Sequence, residues 1–408
     1  MSFGMRARVS VALAAAAALA TTVISPAQAY TEPPRPAFYE APATLPAVNG
    51  SLIRTEPATF KLDPLNATSV SRTVTRVLYK STNRAGKAVA VSGTVFVPKA
   101  PWLGLGKRPI IGYGVGTQGM ADRCAPSRQF AEGFEYEGMF IEGLLLRGYA
   151  VAMTDYEGLG TAGTHTYMDR VSQGRAVLDV VRAAQKLPNS GLTANNPVGL
   201  TGYSQGGGST ASAAELAATY APELKIKGAA VGAVPANLAA VAKFLDGSMW
   251  SVFGLYAAVG LAASYNVDSS PYFNDRGKAL VQRIHDECVF DLFKSSFTQT
   301  SALTKDGSTS ATLLAKQPFA AMIEAQRIGR TKPNFPVLVD HSALDDTIPY
   351  AVGKQLAKDW CSKGANVRFS TNLKPLHVGG MLAHTTGAFG FFEARFAGLP
   401  QLSNCWTL

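Results

Sequence analysis

Residues 199–208 read GLTGYSQGGG, placing one serine, Ser204, among glycines at the end of an apolar run. The stretch before it, NPVGLTGY, has the pattern of a buried strand, and the stretch from Gln205, QGGGSTASAAELAATYA, has that of a helix. A serine between the two stands on a very sharp turn if its hydroxyl is to project over the sheet edge. Side chains two residues before and after would collide there, so glycine is needed at Gly202 and Gly206. The G-x-S-x-G spacing alone is a weak signal, because glycine-rich turns are common. Between a strand and a helix it is a strong one, and it makes Ser204 a candidate nucleophile.

Outward from this turn, strands and helices alternate. RVLYKSTNRAGKAVAVSGTVFVPK holds two β-branched runs around Asn83-Arg84-Ala85-Gly86, a hairpin signal. RPIIGYGV, YAVAMTDY, LKIKGAAVGAV, FPVLVDHS and NVRFSTN read as further strands, with helices predicted between them, from Ala351 to Lys363 and around GFFEARF. An antiparallel start followed by alternating units predicts an α/β fold: a mixed, mostly parallel sheet with helices on both faces. The alternation lapses over 235–316, where FLDGSMWSVFGLYAAVGLAASY and shorter helical pieces predict an inserted helical cap or lid. The core is then 64–234 and 317–408, preceded by a proline-rich extended arm over 30–63.

The N-terminus sets the compartment. Arg6 and Arg8 precede an apolar stretch that ends in Ala27-Gln28-Ala29, the form of a secretory leader over 1–29 cut near Ala29. The chain is therefore expected outside the cell, without a transmembrane anchor and as a monomer. Arg6 and Arg8 leave with the leader and no acid does, so the formal charge falls from +10 to +8. The basic residues are scattered rather than clustered, which argues against nucleic acid as a partner. Cys124, Cys288, Cys361 and Cys405 lie far apart, and an even count in an exported chain predicts two disulfides.

A serine hydroxyl needs a base to take its proton and an acid to orient that base. The five histidines are His165, His285, His341, His377 and His384. With the chain order Ser, acid, His on alternating strands and helices, His377 in NLKPLHVGG follows the last predicted strand and reads as the base, in a loop. His384 reads as a helix-start residue and a rival. The loop HSALDDTIPY offers Asp345 and Asp346 as the acid, whereas Asp340 falls within or at the end of its strand. Asp340, His341, Asp345 and Asp346 cluster in sequence as metal ligands can, but they lack helix-face ligand spacing.

At this point the chain resembles the secretory lipase family of α/β-hydrolases, on GTQGMADRCAPS, TDYEGLGT, GYSQGG, DDTIPY, WCSKGANV and the histidine loop, in that order. The resemblance implies nucleophile Ser204, acid Asp345 and base His377. It implies an oxyanion hole from the Gln205 N–H and a second donor in Gly116-Thr117-Gln118-Gly119, at Thr117 or Gln118. It also implies disulfides Cys124 to Cys288 and Cys361 to Cys405. The expected activity is cofactor-free and metal-free ester hydrolysis through an acyl-enzyme, on a triacylglycerol or other lipid ester at a lipid-water interface. A broad esterase on short-chain, sugar or polymer esters is the alternative, then an exported peptidase or acyltransferase. Phe244, Met249, Trp250, Phe253 and Tyr256 are the candidate acyl-binding residues of the cap.

Overall fold

The structure, a computed structural model, describes residues 34–62 and 71–408, so the expected leader lies outside the described residues. One sheet contains β1 (Leu52–Pro57), β2 (Arg72–Thr82), β3 (Ala88–Pro98), β4 (Ile110–Gly114), β5 (Ala150–Thr154), β6 (Val198–Tyr203), β7 (Ile226–Gly232), β8 (Val337–Ser342) and β9 (Val367–Asn372). Their order is β1-β2-β3-β5-β4-β6-β7-β8-β9. The pairs from β1 to β3, and β3 with β5, are antiparallel; the others are parallel. Strand β1 lies inside the segment expected as an extended arm. It is six residues long and partly exposed along its length, too short and polar for its period to be read from sequence.

Strands β4, β5, β6 and β8 are buried at every residue. This is why they read as continuous apolar runs rather than alternating ones. After β4 come α1 (Pro126–Gln129) and α2 (Gly138–Leu146); α3 (Arg170–Gln185) follows β5, and α4 (Gln205–Tyr220) follows β6. In the sheet β4 lies between β5 and β6, so the chain steps one way after β4 and the other way after β5. Such a reversal opens a crevice beyond the carboxyl ends of the strands. Ser204 stands there, immediately after β6.

Between β7 and β8 the chain forms α5 (Leu238–Leu245), α6 (Ser251–Tyr265), α7 (Asp275–Ile284), α8 (Ser310–Leu314) and α9 (Phe319–Ala325). Leu238, Leu261, Leu313, Phe319 and Met322 share one small core, so α9, beyond Lys316, packs with the helices before it. A second core joins Val252, Leu255 and Tyr256 of α6 to Met120 and Tyr167 of the body. Among the described residues no helix is long and apolar enough to cross a membrane.

Helices α10 (Tyr350–Ser362) and α11 (Leu376–Phe396) complete the fold. The last helix starts earlier than the sequence predicts. His377 therefore sits in its first turn rather than in a loop, and His384 lies well inside it rather than at its start. Pro375 and the pair Gly379-Gly380 concealed this, since glycine disfavours helix by about 1 kcal/mol relative to alanine.

Cys124 is bonded to Cys288 across 164 residues, and Cys361 to Cys405 across 44. The first joins the connection after β4 to the helical insertion; the second joins α10 to the C-terminal turn. In the chain-entropy description the longer loop stabilises more, by about 1 kcal/mol over the shorter. Replacing Cys124 and Cys288 by alanine is thus expected to lower denaturant stability by about 2–5 kcal/mol, and replacing Cys361 and Cys405 by about 1 kcal/mol less. Equal losses would show that strain or residual unfolded-state structure, rather than loop length, sets the difference.

Candidate active site

Ser204 has φ 60° and ψ −121°, a conformation that side chains rarely adopt. The turn around it is tight enough to explain its glycines. A Cβ on Gly202 would meet the Gly206 carbonyl oxygen at 2.3 Å and that of Gly114 at 2.5 Å, and one on Gly206 would meet Gly114 O at 2.1 Å. The Ser204 N–H donates to Gly232 O at 3.0 Å, which fastens the turn to β7. Gln205 is the first residue of α4, so its N–H has no partner within the helix and is free to point at an anion.

Asp345 and His377 are brought together by the ends of β8 and β9. His377 Nδ1 lies 2.8 Å from Asp345 Oδ2 and 3.0 Å from Oδ1. The N–H groups of Thr347 and Ile348 donate to Asp345 Oδ1 at 2.9 and 2.8 Å. Burial opposes ionisation of Asp345, but the imidazole and these N–H groups outweigh it and hold its carboxyl below the ordinary range. An ionised Asp345 accepts from Nδ1–H and leaves the His377 Nε2 lone pair free. Among the described residues that Nε2 is buried without a hydrogen-bond partner.

Two neighbours, Tyr203 and Asp346, hold this imidazole in place. Tyr203, one residue before the serine, donates its O–H to His377 O at 2.8 Å, and its ring centroid lies 4.9 Å from that of His377. Asp346 accepts the His377 N–H at 2.8 Å through Oδ1 and the Trp250 Nε1–H at 2.8 Å through Oδ2. The two adjacent aspartates thus divide the work: Asp345 orients the ring of His377, and Asp346 fixes its backbone. Asp340 turns to Asn372 instead, at 2.9 Å. Among the described residues no group of three His, Cys, Asp or Glu side chains is placed to hold a metal ion.

The loop Gly116-Thr117-Gln118-Gly119 is buried and clamped. Thr117 Oγ1 lies 2.7 Å from Tyr167 Oη, Tyr136 O–H donates to Thr117 O at 3.0 Å, and Val289 N–H donates to Gln118 O at 2.7 Å. Gln205 is fixed too, its Nε2–H donating to His165 Nε2 at 3.1 Å. His341 sets its Nε2 3.0 Å from Ile348 O, behind Asp345. His285 lies at the end of α7 in the insertion.

An apolar cavity opens on Ser204. Its walls include Met168, Leu238, Val241, Leu245, Phe253 and Ile348, with Gly254 and Ala258 of α6. A second cavity continues beyond them, sharing Ala242, Leu245, Gly254, Ala258 and Leu314. Of the five cap residues singled out from sequence, Phe253 lines the first cavity. Trp250 stacks on Phe253 and braces Asp346, Tyr256 is fully buried in the core around Tyr167, and Phe244 is nearly half exposed. Met249 does not line either cavity. The smaller wall residues, glycine and alanines, carry no apolar bulk and so gave no sequence signal.

A serine on the turn after a central strand, with an acid and an imidazole carried by the last two strands, is the arrangement of the α/β-hydrolases. Within them this chain belongs to the secretory lipase family, whose model matches residues 127–404. It is similar to lipase A of Moesziomyces aphidis, 28% identical over 351 residues that make up 81% of this chain and 73% of that protein. It is similar also to a probable inactive lipase of Mycobacterium tuberculosis, 29% identical over 377 residues, 89% of this chain and 82% of that one. The structure of Candida antarctica lipase A in its closed state superposes with a TM-score of 0.78 at 25% identity, covering 90% of this chain and 87% of that one. The protein is a carboxylic-ester hydrolase.

His165 and His384 are fully buried, and burial pushes them down to about 4 and about 3. The unfolded chain takes up these protons near pH 6.5, so it binds more protons than the folded one below that pH. The stability this gives is complete above about 6.5 and is lost as pH falls toward the folded values. Thermal midpoints are expected to drop between pH 7 and 4, and His384→Asn should remove part of that slope, up to about 1.4 kcal/mol per pH unit. An unchanged slope in the variant would mean that His384 does not stay neutral in the folded protein.

Proposed function

We propose that this protein is a triacylglycerol lipase that works through a Ser204-His377-Asp345 triad and an acyl-enzyme. His377 Nε2 takes the proton of Ser204 as Oγ attacks the ester carbonyl. The tetrahedral oxyanion is met by the Gln205 N–H and by an N–H of Thr117 or Gln118. The C–O bond to the alcohol breaks, the alcohol leaves with the proton from His377, and water, deprotonated by His377, frees the fatty acid. The observation that carries the lipid reading is the apolar cavity opening on Ser204 and continuing through the insertion. There an alkyl chain gains about 0.8 kcal/mol per buried CH₂.

The insertion over 235–316 acts in this reading as a cap that binds the acyl chain. Exposed Leu373, Leu376 and Val378 lie close to His377 in sequence, exposed Leu344 precedes Asp345, and together they suit an approach to a lipid-water interface. The family and the arginine-flanked leader favour an exported enzyme.

One relative is described as probably inactive, which makes wild-type turnover the first measurement. Ser204→Ala should keep the fold and lower kcat for p-nitrophenyl esters by about 10⁴-fold or more. Residual activity above a tenth of wild type sinks the nucleophile. Asp345→Ala should cost more than Asp346→Ala, because the first leaves the imidazole unoriented.

Gly254 tests the cavity. A Cβ added there meets nothing within 4 Å, and the residue borders both cavities. Gly254→Leu should raise helix stability by about 0.5–1 kcal/mol, while kcat/KM for palmitate falls about tenfold or more relative to butyrate. Butyrate and palmitate losing rate together would place the acyl chain elsewhere, and a wild-type preference for acetate over longer chains would replace the lipase by a short-chain esterase.

A further inference from the structure

Three consecutive residues before α2 grip the oxyanion loop in reverse order. Glu135 Oε1 accepts the Gln118 Nε2–H at 3.0 Å, Tyr136 donates to Thr117 O at 3.0 Å, and Glu137 Oε1 accepts the Gly116 N–H at 2.7 Å. Glu135 Oε2 also accepts the Glu137 N–H at 2.8 Å, and Tyr113 O–H donates to Glu137 Oε2. The two carboxyl groups are 5% and 2% exposed. A Cβ on Gly116 would meet Glu137 Oε1 at 2.5 Å, so the loop is pressed against the acid.

Two buried acids side by side are costly without a cation, and none pairs with either among the described residues. The groups facing them are hydroxyls and amides: Tyr113 of β4, Tyr136 between them, Tyr156 after β5, and Gln118 of the loop. Nothing in the reaction of Ser204 uses them directly.

We propose that Glu135 and Glu137 are positioning residues for ester hydrolysis, which fix Gly116 and Gln118 so that the N–H of Thr117 or Gln118 is aimed at the developing oxyanion. This rests on the reading of Ser204 as nucleophile. Burial raises both carboxyls above the ordinary carboxylate range. The pair therefore takes up a proton at a higher pH than exposed carboxylates do. When Glu137 takes a proton, one of its oxygens turns from acceptor to donor, and either Gly116 N–H or Tyr113 O–H loses its acceptor. The aim of the loop is then weakened on the acid side.

The test measures kcat and KM for p-nitrophenyl butyrate from pH 5 to 9, with thermal melting alongside. Glu137→Leu removes the acceptor and should lower kcat about 10–100-fold, below the loss of a whole oxyanion donor, with KM within about threefold. Glu137→Gln keeps an amide oxygen for Gly116 N–H but does not titrate. It should restore kcat at pH 8 to within about threefold and alter the acid limb of the kcat profile. Should Glu137→Leu fail to fold, Tyr136→Phe removes a single O–H and should cut kcat about threefold or more with KM unchanged. The proposal is overturned by Glu137→Leu or Tyr136→Phe losing melting temperature while keeping kcat, or by Glu137→Gln following the wild-type pH profile. A p-nitrophenyl phosphonate that labels Ser204 in wild type separates the two readings: its failure to label strikes the nucleophile, whereas normal labelling with unchanged kcat in the variants strikes the positioning role.

Discussion

The turn at Ser204 is the constraint around which the site is built. Its backbone is held in an unfavourable conformation, and what holds it is carbonyl oxygens rather than side chains. Gly114 O presses against both Gly202 and Gly206, so β4, β6 and the start of α4 meet with no room for a methyl group. Strain of this kind costs about 1–3 kcal/mol and persists only where the surroundings over-determine it. Here the parallel pairing of β4 with β6 and of β6 with β7, together with the bond from Ser204 N–H to Gly232 O, leaves the chain no alternative path.

A second strained residue stands next to the imidazole of His377. Leu376, immediately before His377, has φ 62°, so a positive-φ residue stands at the start of α11 as Ser204 itself does at the start of α4. Tyr203 links them. It precedes Ser204 in the chain, and its hydroxyl holds His377 O. Gly380 permits the approach, since a Cβ there would meet Tyr203 Oη at 2.5 Å. The serine turn and the first turn of α11 are therefore fixed relative to one another by one side chain, independently of any bond between serine and imidazole.

This division explains what was legible in the sequence. The central strands could be read because burial on both faces demands unbroken apolar runs, and Gly202 and Gly206 because the turn tolerates nothing else. The edge strand β1 could not, since its stability comes from pairing with β2, more than a dozen residues later, and not from its own pattern. The start of α11 was hidden by glycines whose use is tertiary. For the site, residue type and order pointed to Ser204, His377 and the Asp345-Asp346 pair, but the separate duties of the two aspartates depend on which N–H each meets, a property of the loop's path. The walls of the cavity were harder still, because space is made by small residues such as Gly254 and Ala258 while sequence draws attention to large ones.

Residues 116–119 are the place where these constraints converge. From one side Glu135, Tyr136 and Glu137 hold residues 118, 117 and 116. From the other the insertion holds them, through Val289 N–H on Gln118 O, Met120 N–H on Glu287 O, the bridge of Gly119 with Cys288, and the disulfide from Cys124 to Cys288. The same insertion supplies the apolar wall beside Ser204. Any shift of the residues around Cys288 must therefore act on the loop, whereas α6, which lines the cavity, meets Met120 just after the loop in an apolar core. The insertion's hold on residues 116–119 and the apolar wall beside Ser204 are thus carried by different parts of it.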